Sequence, residues 1–165
     1  MPLVYWVAVT VHVLAAMLWL GGMLFLAAVG APVLRAVEPP ELRQRLFREL
    51  GVRFRAIGWW AIALLLATGV LNLHYRGWLR WDGVLGDAAF WRTGAGHALA
   101  WKLVAVIAMI AVSASHDFVL GPAATRSVPG SPEALRLRRG AALLARVNAF
   151  IGLIVVVAAV RLARS

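Results

Sequence analysis

Four apolar stretches, each long enough to cross a lipid bilayer, divide this chain at about residues 3–34, 54–75, 97–120 and 141–163. A membrane-spanning helix needs about 20 consecutive apolar residues. Because backbone N–H and C=O groups in hydrocarbon must be hydrogen-bonded within their own segment, each stretch is expected to form one helix. The sequence therefore predicts an all-α, integral membrane four-helix bundle, formed as a single transmembrane domain over residues 1–165.

The composition excludes the water-soluble and the disordered classes of protein. Apolar residues make up 62% of the 165 residues, against about 45–50% in a soluble domain. Only 15% of the residues are charged, whereas a disordered chain combines low hydrophobicity with high charge. The chain contains no cysteine, which excludes disulfides, thiolate metal sites and iron–sulfur clusters. Any metal chemistry must rest on His, Met, Lys or carboxylate side chains.

The net charge of +10 is concentrated in the polar connections between the apolar stretches. There, arginines orient the helices and meet anionic lipid headgroups, so no nucleic acid partner is expected. Positively charged loops stay in the cytoplasm. The first and third connections carry ten arginines between them, namely Arg35, Arg43, Arg45, Arg48, Arg53, Arg55, Arg126, Arg136, Arg138 and Arg139. We therefore expect a multi-pass protein of the cell inner membrane with both termini facing outward.

Local patterns predict where the helices begin and end. Apolar residues in the segment 41–50 recur at helical spacing opposite a basic face, which predicts a short interfacial helix between the first two spans. Gly121 and Pro122 are expected to end the third helix. Ser131 followed by Pro132 is a helix-start signal, so the last helix is expected to begin before the membrane. The first stretch lacks the basic start of a signal peptide, so it is predicted to remain in the protein as a membrane-spanning helix.

Three of the four histidines are predicted to converge near the outer membrane face. His12 lies about nine residues inside the first span, His74 ends the second and His97 begins the third. An ionisable group inside a span is costly and usually has a partner, and neutral imidazole is a ligand for Zn, Cu and Fe. We expect His12, His74 and His97 to bind a metal together, with solvated headgroup residues as the alternative for His74 and His97. His116 is expected to be a plain interfacial residue paired with Asp117.

Other side chains extend this candidate site. At 100° per residue, Trp19 shares a helical stripe with His12, and small residues beside that stripe leave room for a close helix or a flat cofactor. Lys102 either extends outward to the headgroups or supplies a counter-charge or ligand for a cofactor. Asn72 lies near His74 and is expected to hold an imidazole tautomer. A basic outer loop is expected to bind cofactor propionates through Arg76, Arg80 and Arg92.

Six short segments, spread over all four apolar stretches, share a family pattern. They are His12-Val-Leu-Ala-Ala-Met-Leu-Trp19-Leu-Gly-Gly-Met-Leu-Phe, Ala31-Pro32-Val-Leu-Arg35, Arg53-Phe-Arg-Ala-Ile-Gly, Ala67-Thr-Gly69-Val-Leu-Asn72, Trp101-Lys102-Leu103 and Arg146-Val-Asn148. Together they resemble the copper-resistance D (CopD) family of membrane proteins, and the same skeleton is similar to the HemJ-type protoporphyrinogen oxidases. The first resemblance implies copper handling at the cell membrane. The second implies a bound b-type haem, with His12 and Lys102 as the matching candidates.

These patterns predict a membrane-embedded protein that binds haem b near the outer face and serves in redox or electron transfer. His12 would be one axial ligand, and His74 or His97 the other. The expected partners are the lipid bilayer and either membrane quinone or a periplasmic redox carrier, with a homodimer as an open alternative. Copper binding or copper transport through the same histidines, and protoporphyrinogen IX oxidation, are the alternative functions, and the sequence leaves open whether the chain is an enzyme.

Overall fold

The computed structural model describes residues 2–79, 83–127 and 131–164, and these residues form helices and connecting turns without a strand. In chain order the elements are α1 (Leu3–Phe25), a π-helical segment (Leu26–Gly30), α2 (Ala31–Arg35), α3 (Pro40–Tyr75), two 3-10 turns (Val84–Gly86 and Phe90–Arg92), α4 (Gly94–Ala114), a second π-helical segment (Ser115–Leu120), α5 (Gly121–Arg126) and α6 (Pro132–Arg164).

Four helical stretches in the described part of the chain are long and apolar enough to cross a membrane. They are Leu3–Arg35, Pro40–Tyr75, Gly94–Ala124 and Pro132–Ala163. Large apolar side chains remain on their outer surfaces; Leu3 is 78% exposed and Trp60 is 74% exposed. Such surfaces suit lipid as the solvent, because soluble proteins rarely expose large contiguous apolar patches. The predicted all-α membrane class is confirmed.

The chain divides into two compact units, Met1–Asp87 and Ala88–Ser165. In the first unit α1 packs antiparallel against α3, and in the second α4 packs antiparallel against α6. The second π-helical segment and α5 also lie against α6. The single domain over the whole chain stays a prediction.

Rings that lie against glycines bring α1 and α3 together at three levels. The pairs are Phe54 on Gly22, Trp19 on Gly58 and His12 on Gly69. A Cβ atom on Gly22 would approach the Phe54 ring to 2.5 Å, which is too close for a side chain. The Phe54 ring would therefore have to move to admit a side chain at that position. The sequence predicted that small residues beside the helical stripe of His12 and Trp19 leave room for either a close helix or a flat cofactor. In the structure, α3 lies close to α1 at this face.

Each π-helical segment ends two residues before a proline. Pro32 lies in the first turn of α2 and Pro122 in the first turn of α5. A proline inside a helix lacks an N–H and its ring clashes with the carbonyl four residues earlier. The wider π turn moves that carbonyl out of the usual register, so the helical course continues past the proline. The prediction that Gly121 and Pro122 end the third helix is wrong for this reason.

The segment expected to form a short interfacial helix is the first part of α3. That helix runs without a break over 36 residues. Phe47 and Leu50 turn toward the end of the first spanning helix, so the apolar face of the segment continues the α1–α3 packing. The early start of the last helix is confirmed, because α6 begins at Pro132 and the Ala134 N–H donates to Ser131 Oγ at 3.1 Å.

Candidate functional site

The side chain of His12 is half-buried on α1 and is held by Thr68 of α3. Its Nδ1 atom lies 2.8 Å from Thr68 Oγ1. The Thr68 hydroxyl donates its proton to the carbonyl of Leu64, so the hydroxyl oxygen is left to accept from the imidazole. This network assigns the proton of neutral His12 to Nδ1 and the lone pair to Nε2. An imidazole oriented by a hydrogen bond at one nitrogen is in the form that binds metals through the other.

Thr68 is suited to this position by its own helix. A threonine within a helix bonds back to a carbonyl three or four residues earlier, and Thr68 contacts the carbonyls of both Leu64 and Leu65. The residue is buried, with 6% of its surface exposed. Its hydroxyl can therefore serve the helix and the histidine together, because the oxygen accepts while the proton is donated.

Asn72 lies one helical turn after Thr68 on the same face of α3. Its Oδ1 atom is buried and has no hydrogen-bond partner among the described residues. A buried polar atom without a partner costs about 1–3 kcal/mol, so this oxygen is suited to a ligand. No hydrogen bond joins Asn72 to His74 in the described part of the chain. The residue that fixes a histidine tautomer is Thr68, which the sequence analysis missed.

His74 does not lie on the face of α3 that meets His12. It follows Thr68 by six residues, which places it about 9 Å further along the helix and about 120° around it. The side chain is exposed, and its ring meets Tyr75 edge to face with centroids 5.6 Å apart. A role for His74 as a second ligand beside His12 is therefore not supported by the helix geometry.

In the second unit, His97 is exposed in the first turn of α4, and Lys102 is half-buried on the same helix. His116 Nδ1 lies 2.8 Å from Asp117 Oδ1, which confirms the predicted pair. No group of three or more His, Cys, Asp or Glu side chains that could hold a metal ion occurs within residues 2–79, 83–127 and 131–164. The joint site of His12, His74 and His97 stays a prediction.

The remaining predicted site residues have other contacts. Trp19 is buried, with 5% of its surface exposed, and fills the helix interface against Gly58. The Arg76 guanidinium lies 5.4 Å from the centroid of the Trp78 ring, a cation–π arrangement. Arg92 is exposed at the end of a 3-10 turn, and Arg80 lies outside the described residues. Propionate binding by these arginines stays a prediction.

A second interhelical polar contact lies in the second unit. Asn148 Nδ2 donates to Ser113 Oγ at 2.8 Å. Both residues are buried, with 5% and 8% of their surfaces exposed. Hydrogen bonds between small polar side chains are a common means of holding membrane helices together. This pair therefore joins α4 to α6.

Four apolar spans, helix pairs held by buried polar contacts and a tautomer-fixed histidine define a multi-pass α-helical membrane protein. The family model of copper resistance protein D (CopD) matches residues 48–162, and the chain belongs to this family. The match covers α3 from Arg48 onward and the second unit as far as Leu162, and it begins after His12. It confirms the CopD resemblance found in the sequence, and it gives no support to haem b. The HemJ relationship stays a prediction.

One relative adds to this comparison. A protein of Aquifex aeolicus (strain VF5) described as uncharacterized is 42% identical over 64 residues, which are 38% of this chain and 43% of that protein. The match thus spans less than half of the relative's length. No solved structure matches the chain.

Proposed function

We propose that the chain binds copper as cargo inside the membrane, with the His12 imidazole as a ligand. The observation that carries the proposal is the 2.8 Å contact between His12 Nδ1 and Thr68 Oγ1, in a chain that belongs to the copper resistance protein D family. The contact orients the ring and assigns the lone pair to Nε2, the atom that would meet the metal.

The candidate donor atoms, an imidazole nitrogen and an amide oxygen, are of the kinds that bind copper. Imidazole nitrogen suits copper, and mixed nitrogen and oxygen donors are typical of Cu(II) sites. Asn72 Oδ1, buried one turn from Thr68 without a hydrogen-bond partner in the described part of the chain, is the candidate oxygen donor. Divalent copper also binds more tightly than the neighbouring first-row metals to a given site of this kind. No thiolate competes, because the chain has no cysteine.

Because His12 lies inside a membrane-spanning helix, we propose that the site holds copper within the membrane or takes part in its transport. His12 lies about 14 Å along α1 from Leu3, inside a segment whose surroundings are apolar. A polar group at such a depth is costly unless it is used or paired. We propose the inner membrane as the location, with both termini outward, because ten arginines lie in the two connections assigned to the cytoplasm.

Haem b and electron transfer to quinone or a periplasmic carrier are not part of the proposal. The described residues give haem no specific support: Trp19 fills the helix interface, and Arg76 contacts Trp78. A homodimer is likewise left to experiment.

The test is metal retention by the purified full chain in detergent micelles. One equivalent of Cu(II) is added, unbound metal is removed by desalting, and retained copper is measured together with the electron paramagnetic resonance spectrum. We expect about one copper per chain with nitrogen hyperfine structure, and loss of both signals in His12→Ala. His74→Ala and His97→Ala serve as matched controls and are expected to retain copper.

The outcomes separate the hypotheses. Failure of the wild-type chain to retain copper, or retention by His12→Ala equal to that of the wild type, overturns the proposal. Equal loss in all three histidine variants supports instead the joint site expected from the sequence. A Soret absorption band after expression with ample haem supports the haem hypothesis.

A further inference from the structure

An apolar cavity of about 120 Å³ lies in the first unit, between the end of the first spanning helix and the start of α3. Its lining is formed by Leu26, Ala31, Phe47, Leu50 and Gly51. An apolar cavity of roughly 150 Å³ takes up a guest the size of benzene. This cavity therefore has room for a short run of methylene groups, such as part of an acyl chain.

Two local features produce the space. The π-helical segment Leu26–Gly30 widens the first spanning helix along one wall. On the opposite wall Gly51 has no side chain, and a Cβ atom placed there would meet nothing within 4 Å. The cavity can thus be filled by substitution at Gly51 without a clash with the protein.

Two arginines lie on the Gly51 face of α3, one turn before it and one turn after it. Arg48 precedes Gly51 by three residues and Arg55 follows it by four, so the three positions share a helical face. Arg48 is exposed and Arg55 is half-buried. Their Cα atoms are about 10 Å apart along the helix axis. A phosphate group above Gly51 is within reach of both flexible side chains.

Two acidic residues of this segment, Glu41 and Glu49, reduce the positive charge only in part, because residues 41–55 carry five arginines against these two carboxylates. Glu49 accepts a hydrogen bond from Arg45 Nε at 2.8 Å, and the pKa of its carboxyl is lowered mainly by Arg45 and further by Arg53 and Arg48. Glu38 lies 3.4 Å from Arg43 Nη1, which also donates to the Arg35 carbonyl at 3.3 Å.

We propose that this cavity, together with Arg48 and Arg55, binds one anionic phospholipid. The phosphate would lie between the two guanidinium groups and an acyl chain would enter the cavity over Gly51. Arginine pairs well with phosphate, and basic pockets at the cytoplasmic ends of membrane helices bind anionic lipid headgroups. Within a bilayer, a phospholipid is the abundant molecule that joins a hydrocarbon chain to a phosphate at this level. The proposal does not depend on copper binding.

The test is native mass spectrometry of the full chain after reconstitution into equal mixtures of phosphatidylglycerol and phosphatidylcholine. We expect one retained phosphatidylglycerol per chain in preference to phosphatidylcholine. Arg48→Gln is expected to lower that retention about fivefold, because one basic residue near an anionic surface is worth about 1 kcal/mol. Gly51→Leu is expected to lower it at least as much by filling the cavity.

Two matched controls test whether lipid is lost at this site or through any added leucine or any removed arginine. Gly21→Leu adds the same side chain where a Cβ atom also meets nothing within 4 Å, and Arg136→Gln removes an exposed arginine of the second unit. Both are expected to retain the lipid. Leucine favours a helix over glycine, so Gly51→Leu is expected to unfold no earlier than the wild type. Equal retention of both lipids by the wild type, wild-type retention by Gly51→Leu, or full displacement by soluble glycerol phosphate overturns the proposal.

Discussion

Thr68 Oγ1 accepts a hydrogen bond from His12 Nδ1 over 2.8 Å and thereby joins α3 to α1 through a polar contact. The surrounding interface is formed by rings packed on glycines and by small apolar residues such as Ala15 and Ala61, both buried. A polar pair in such an interface determines which faces of the two helices meet. It also keeps the imidazole in one tautomer and one orientation.

Replacing Thr68 by valine is expected to destabilise the first unit. Valine retains the shape of the side chain but leaves the His12 N–H without its acceptor, and a buried donor without a partner costs about 1–3 kcal/mol. Measured values for interhelical hydrogen bonds in membranes average about 0.6 kcal/mol, so a loss near 1 kcal/mol is expected. Thermal unfolding of the full chain in detergent measures it.

Thr68→Ser is the matched control for that experiment, because serine keeps the hydroxyl. Thr68→Ser is expected to retain most of the thermal stability. It is also expected to keep His12 in the Nδ1–H tautomer, which nitrogen NMR of His12 would measure. If Thr68→Val unfolds at the same temperature as the wild type and shows the same tautomer, the hydrogen bond has no role in either property.

Gly22→Ala is expected to weaken the α1–α3 packing. The added Cβ atom would lie 2.5 Å from Phe54 Cε2, so the ring must move, and overpacking of this kind costs about 1–3 kcal/mol. At the neighbouring Gly21 a Cβ atom meets nothing within 4 Å. Gly21→Ala is therefore expected to stabilise the helix by about 0.5–1 kcal/mol.

Unfolding in detergent by heat compares the two alanine variants directly. The double variant Gly22→Ala with Phe54→Leu is expected to recover part of the lost stability, because the shorter side chain leaves room for the methyl group. Equal stability of Gly21→Ala and Gly22→Ala would show that Phe54 moves aside without cost.

The hydrogen bond between Asn148 and Ser113 is expected to couple α6 to α4. A double-mutant cycle with Asn148→Leu, Ser113→Ala and both together isolates the pairwise free energy. We expect a coupling of about 0.5–1.5 kcal/mol in detergent unfolding, the range observed for polar pairs between membrane helices. Additive effects of the two substitutions would contradict the contact.

The spanning helices were predictable from the sequence because hydropathy alone distinguishes apolar stretches of this length from their polar connections. The course of the chain past Pro122 was not. A proline ordinarily ends a helix, and the π-helical turn that accommodates it leaves no recognisable residue pattern. The continuity of α3 through Gly51 was missed for another reason. The amphipathic start of that helix and its apolar remainder differ in composition, so they were interpreted as two separate helices.

The candidate site was predictable in part. His12 was recognised because an imidazole is conspicuous among apolar residues, but its partner Thr68 was not, since a single hydroxyl within a helix usually bonds to its own backbone. The available signal was the spacing of Thr68 and Asn72, two polar residues one turn apart on the same face of an apolar helix. The register of α3 against α1, which brings Thr68 rather than His74 to His12, depends on where rings meet glycines. That information lies in three-dimensional packing.

The orientation of the chain in the membrane is open to a direct test, because the absence of native cysteine allows a single introduced cysteine to be labelled alone. Gln44→Cys and Glu133→Cys replace exposed residues in the basic connections, and Gly86→Cys replaces an exposed glycine in the connection before α4. Since positive connections stay in the cytoplasm, a membrane-impermeant maleimide added to intact inner-membrane spheroplasts is expected to label Gly86→Cys. Gln44→Cys and Glu133→Cys are expected to react only after permeabilisation. The reverse pattern would place both termini in the cytoplasm, and it would move the proposed anionic lipid site to the outer leaflet.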